Sequence, residues 1–140
     1  MLRRTGFAAT VLLVGVALNT TAAAAVKPLS GRYVKVGMAQ VRVLPGSKSA
    51  YVSVTGTIGA TGVVVSLPSA VKIGNGSFSY SGKTIWRYAI PPVRDLPGTG
   101  MVRGTFTTAK SLTLSYKLKR GGAVLTKSSL TLVFSTATGP

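Results

Sequence analysis

From Ser111 to Lys119 apolar and polar residues alternate without a break, Leu112, Leu114, Tyr116 and Leu118 interleaving with Thr113, Ser115, Lys117 and Lys119. Only an extended strand converts a period of two into one apolar face and one wetted face. Leu130, Leu132 and Phe134 repeat the pattern against Ser129, Thr131 and Ser135, and no stretch after residue 25 holds the i, i+3, i+4 spacing of an amphipathic helix. Strands are expected near Gly31 to Val36, Ala39 to Leu44, Ala50 to Thr57, Val63 to Leu67, Ser77 to Ser81, Thr84 to Ile90, Met101 to Thr107, Ser111 to Lys119 and Ser129 to Thr136. About 8–9 short strands with turn signals between them predict an all-β chain, an antiparallel β-sandwich or alternatively a small β-barrel.

The turns carry their own chemistry. Pro45-Gly46 suits the central pair of a type II turn, Asn75-Gly76 a type I′ turn, and Gly121-Gly122 a two-residue hairpin. If that last hairpin pairs Leu118 with Leu125, an unbroken ladder would turn Leu130 to the wrong face. The parity therefore predicts a β-bulge between Lys127 and Ser129. Pro91 to Gly100 is the longest segment without periodicity and reads as a long loop, in which Val93, Arg94, Asp95 and Leu96 are candidate functional residues.

Residues 1–25 read as a secretory signal helix rather than as part of the fold. Arg3 and Arg4 precede a charge-free apolar run from Phe7 to Leu18, and Ala22 to Ala25 offer small-residue cleavage sites after Ala24 or Ala25. That run of twelve residues is shorter than the roughly 20 a bilayer crossing needs. The expectation is a single domain over 26–140, secreted or placed in the cell envelope, extracellular or periplasmic. The chain has no cysteine, so its stability comes from burial alone, which favours a bacterial exported protein over an animal extracellular module.

Charge is the outlier. Fifteen of the seventeen Lys and Arg lie after residue 25 against the single acid Asp95, a net charge of +14 on that part of the chain. Such a field attracts polyanions: anionic envelope polymers, anionic lipid surfaces, or nucleic acid without sequence preference. The alternative is a charged surface that serves solubility and has no specific anionic ligand. Lys117, Lys119, Arg120 and Lys127 form the candidate polyanion-binding cluster, since the final hairpin brings the first three to one end and Lys127 to the adjoining strand. Trp86-Arg87-Tyr88 interleaves rings with a cation, and alternation sends Trp86 and Tyr88 to one face and Arg87 to the other. This arrangement favours the core over a nucleic-acid stacking platform for the rings, while periodicity does not say which face is exposed.

The inventory excludes most catalysis. Without His or Cys, Ser-His-Asp and Cys-His arrangements and imidazole or thiolate metal sites cannot be built. One carboxylate gives no acid/base pair and no calcium cage. Ser69-Ala70-Val71-Lys72 matches S-x-x-K by letter but lacks its companion motifs, and Ser81-Gly82-Lys83-Thr84 lacks the first glycine of a phosphate loop. No catalytic residue, cofactor or metal is expected, and a non-enzymatic binding or envelope-associated role follows. A membrane-perturbing secreted factor, inserting Val93 and Leu96, is the alternative.

Leu29-Ser30-Gly31-Arg32-Tyr33, Lys72-Ile73-Gly74-Asn75-Gly76-Ser77-Phe78-Ser79, Val102-Arg103-Gly104-Thr105-Phe106 and a closing Phe134 occur in that order. In this order the chain resembles a group of uncharacterised bacterial secreted β-sandwich proteins with Gly-x-Phe strand motifs. Members often carry cysteines in the C-terminal half, and this chain departs from them there. The resemblance implies a fold and export, and no activity.

Overall fold

The computed structural model describes residues 25–136; the expected signal segment lies outside them apart from Ala25. Nine strands follow in order: β1 (Gly31–Lys35), β2 (Ala39–Val43), β3 (Ser49–Ile58), β4 (Thr61–Ser66), β5 (Val71–Lys72), β6 (Ser77–Tyr88), β7 (Asp95–Thr108), β8 (Ser111–Arg120) and β9 (Ala123–Thr136). No helix occurs among the described residues. All pairings are antiparallel, in the order β2-β1-β9-β8-β7-β6-β4-β3-β5, and an additional β2–β3 ladder returns the sheet on itself. The expected all-β antiparallel architecture is thus realised as one ring-like sheet. Its facing walls enclose a single core, as the two layers of a sandwich would.

Alternation sets which side chains fill that core. Tyr33, Val41, Val43, Val52, Val54, Val63, Val65, Phe78, Trp86, Val102, Phe106 and the four apolar residues of β8 are buried in one cluster. Tyr33 meets Phe106 and Phe134 edge-on at 5.2 and 5.4 Å between centroids, the favoured arrangement for aromatic quadrupoles. Its hydroxyl hydrogen is shared between the carbonyls of Leu29 and Ala109, at 2.9 and 2.6 Å.

The three turns form as their residues dictate. Ser47 N–H donates to Leu44 C=O across Pro45-Gly46, with Gly46 at φ 94. Asn75 and Gly76 both take positive φ, 54 and 73, and Gly74 and Ser77 exchange both backbone hydrogen bonds around them. Gly121, at φ 60, turns β8 into β9. Leu118 pairs with Leu125 and Tyr116 with Lys127, whereas Leu114 pairs with Leu130. One extra residue has entered β9 opposite Ser115, and this is the bulge that parity required. It keeps Leu130 and Leu132 buried.

Two expectations need correction. The expected break at Gly82 does not occur: β6 runs through it, with Gly82 at φ 151 and opposite Gly100 of β7. The long loop is also shorter than expected. Only residues 89–94 connect β6 to β7, and they include a cis Pro91–Pro92 peptide. Asp95 and Leu96 already pair with Arg87 and Trp86. The signal was hidden because the inward positions after Leu96 are Gly98 and Gly100, which leave room for neighbouring side chains. A Cβ on Gly98 would stand 2.3 Å from the Trp86 indole nitrogen, and one on Gly100 would stand 2.7 Å from Leu118. Pro97 is tolerated because it lies beyond the β7–β8 ladder, where β7 has a paired neighbour on one side only.

Burial pushes the phenol groups of both Tyr33 and Tyr116 above their ordinary value. The neutral rings thus contribute stability that is whole below about pH 10, where the unfolded chain's tyrosines begin to ionise, and is lost as pH climbs toward the folded values. From about pH 8 to about pH 11 the lysines also lose charge and with it their mutual repulsion, so the tyrosine contribution is read as a difference in melting curves, Tyr116→Phe losing less stability over that range than the unaltered protein. An unchanged slope in that variant would contradict the assignment.

Candidate polyanion-binding face

The outward positions of β6 to β9 assemble into cross-strand rows. Ser77, Thr105 and Thr113 stand side by side, as do Ser79, Arg103 and Ser115, then Ser81, Met101, Lys117 and Thr126, then Lys83, Thr99, Lys119 and Val124. Every one of these rows is hydroxyl or cation except at Met101 and Val124, both partly exposed. No carboxylate occurs in the four rows, because Asp95 stands further along β7 beside Arg87.

Three adjoining clefts run over these rows. One of about 180 Å³ is lined by Met101, Arg103, Ser115, Tyr116, Lys117 and Lys127. A second, about 300 Å³, shares Met101 and Lys117 and adds Lys119, Ser81 and Thr99. The third, about 430 Å³, shares Arg103 and reaches Lys72, Ser77 and Ser79. Lys72, Arg103, Lys127, Lys117 and Lys119 therefore line one continuous track.

The expected cluster is assembled in part. Lys117 and Lys119 are exposed on β8, and Lys127, paired with Tyr116 at the edge of the bulge, lines the same cleft as Lys117. Arg120 is a correction. It has the parity of Leu118 and faces the inner side, where its guanidinium lies 5.7 Å over the Tyr88 ring. Its Nε is buried without a hydrogen-bond partner. Tyr88 stacks in turn on Trp86, whose indole N–H donates to the buried Thr84 hydroxyl at 3.0 Å. Arg120 closes this end of the core and does not extend the track.

The candidate loop residues separate as well. Val93 and Arg94 remain exposed in the connection, Val93 at 56 %. Asp95 lies on β7, where one of its carboxylate oxygens accepts from Arg87 Nε and an Arg87 terminal nitrogen at 2.9 and 2.6 Å. Leu96 packs against the core, so the alternative based on its insertion loses that residue. Ser69 and Lys72 stand at the short strand β5 and not on a helix, so the S-x-x-K match has no supporting geometry.

Arg103 and Lys72 were missed in the sequence. Arg103 occupies an outward position of β7 between Met101 and Thr105, and the register with β8 pairs it with Ser115, diagonally across from Lys117. That pairing becomes visible only once the Thr108–Ser111 connection is fixed. Cations also project elsewhere: Arg32, Lys35 and Arg42 are exposed on β1 and β2, Arg42 at 5.3 Å over the partly exposed Tyr51 ring. The β6–β9 track is distinguished by its continuity and not by sole possession of charge.

Arg87–Asp95 is an exposed pair, more than half accessible on both sides, so it contributes little to stability. With one acid in the chain, added salt screens far more repulsion than attraction. The melting temperature is therefore expected to rise from about 20 mM to about 500 mM sodium chloride, by roughly 4–8 °C for each ~1 kcal/mol of repulsion removed. A fall over that range would show that attractive pairs dominate.

No family model, curated protein or solved structure matches the chain.

Proposed function

We propose that this chain is an exported, non-enzymatic binding domain that is held on anionic polymers of the cell envelope by the outward face of β6 to β9. The observation that carries the reading is the acid-free track from Lys72 and Arg103 to Lys119, bordered by serine and threonine hydroxyls. Lysine and arginine supply attraction, and hydroxyl groups supply donors to phosphate or sulfate oxygens. The absence of His and Cys, and the single carboxylate, support a binding role over a catalytic one. The n, h and c regions of residues 1–25 support export, and an exported form should begin at Ala25 or Val26, which intact mass of the secreted protein would check.

Retention on an immobilised anionic polymer tests the reading. Binding at about 50 mM salt should be strong and should be lost by about 500 mM, because exposed charges are screened within about 8 Å at physiological ionic strength. Retention that ignores salt, or no retention at all, would contradict it. Dye release from anionic vesicles would instead support the membrane-perturbing alternative, for which Val93, 56 % exposed, remains and Ile90, 55 % exposed, stands nearby as a further apolar contact.

A further inference from the structure

The outward positions of a β-strand recur every two residues, which is six backbone bonds and an advance of about 6.8 Å. A phosphodiester polymer whose phosphates are joined through three carbons also repeats every six backbone bonds. Fully extended, it advances about 7 Å per charge, twice the reach of the three-bond peptide unit. Strand and polymer therefore share one period.

The cations of the track follow that period. Lys117 and Lys119 are successive outward residues of β8. Met101 is the cross-strand partner of Lys117, so Arg103 stands one strand over and one period back. Strand spacing puts its Cα about 8 Å from that of Lys117. Arg103, Lys117 and Lys119 thus follow a path offset by one strand at Lys117, with Cα steps of about 8 Å and about 7 Å whose difference the long side chains take up, and the two clefts that meet at Lys117 run along it. Ser115, Ser81 and Thr99 line the same clefts, placing hydroxyl donors beside each step.

The rings near the track argue against a polymer that carries bases. Phe78 and Tyr116 reach the clefts with only 4 % and 6 % of their surface exposed, and Trp86 has none. Base stacking needs an open ring face along a basic groove, and β6 to β8 keep theirs on the inner side.

We propose that the line from Arg103 through Lys117 to Lys119 binds a single extended polyol-phosphate chain, a phosphodiester polymer without bases, with one phosphate per cation. This rests on the polyanion reading above and specifies its partner.

The test compares three probes carrying equal numbers of phosphates: poly(glycerol phosphate), linear inorganic polyphosphate and an oligothymidylate. Polyphosphate has the densest charge, so attraction governed by net charge alone would rank it first. The shared period ranks poly(glycerol phosphate) first, at least about 5-fold tighter than polyphosphate, with oligothymidylate no tighter than the polyol chain. Replacing Arg103, Lys117 and Lys119 by serine should lower the log–log salt slope for poly(glycerol phosphate) by about 2. The same change at Arg32, Lys35 and Arg42 should leave the probe ranking intact. Polyphosphate binding as tightly as the polyol chain would overturn the proposal and leave the general reading standing, whereas no retention of any probe would remove both. Tighter binding of oligothymidylate would assign the track to nucleic acid and overturn the proposal equally. The ranking is measured on the unaltered protein, so it stands even if a triple variant fails to fold.

Discussion

Trp86→Ala is expected to cost about 3–5 kcal/mol of stability, the range for deleting a fully buried large aromatic side chain. Trp86 is wholly inaccessible, contacts the backbone of β7 at Gly98, stacks on Tyr88 and satisfies the buried Thr84 hydroxyl. Its removal opens a cavity and leaves Thr84 without the indole donor. A single domain of this size holds about 5–15 kcal/mol in total, so the variant should unfold at a markedly lower denaturant midpoint with an unchanged slope. A loss below about 1 kcal/mol would show that this end of the core collapses around the gap.

Gly98→Ala should also destabilise the fold, by less than the loss of the indole, although it adds only one methyl group. The new carbon would lie 2.3 Å from Trp86 Nε1 and 2.7 Å from the Lys119 carbonyl oxygen, so both a rigid ring and a backbone group would have to move. Overpacking of this kind costs about 1–3 kcal/mol and occasionally more. The two sites are coupled by contact. In a Trp86→Phe background, where the indole nitrogen is gone, the alanine at position 98 should cost at least about 1 kcal/mol less, read from a double-mutant cycle in urea. Simple additivity would mean that the clash with the Lys119 backbone, and not with Trp86, sets the penalty.

These two residues also show why part of the fold was legible and part was not. Alternation is visible when the inward residues are large, as Leu112 to Leu118 are, and the parity of Leu125 and Leu130 was enough to require the bulge in β9. Alternation disappears when the inward residue is a glycine whose space is filled from another strand. The stretch from Leu96 to Gly100 therefore resembled a loop although it is the start of β7. The type II and type I′ turns were readable because their backbone angles select residue types directly, at Gly46, Asn75 and Gly76. The ring closure was not readable, since the β1–β9 ladder joins the first and last strands through contacts that no local pattern encodes.

The candidate site divides along the same line. Lys117 and Lys119 were found because they share a strand and a parity. Arg120 joins them at the hairpin end in the sequence, and its parity with Leu118 directs it inward to Tyr88. Arg103 was overlooked because its place beside Lys117 depends on strand register. Lys127 stands across from Tyr116 at the edge of the bulge and lines one cleft with Lys117.

The proposed role requires anionic polymer to be held on the outward face of β6 to β9. Lysine acetylation footprinting of the protein with and without poly(glycerol phosphate) reads this residue by residue. Protection is expected at Lys117, Lys119 and Lys127, with Lys27, Lys35, Lys48 and Lys110 modified as in the free protein. Equal protection of all lysines, or protection confined to the second set, would contradict it.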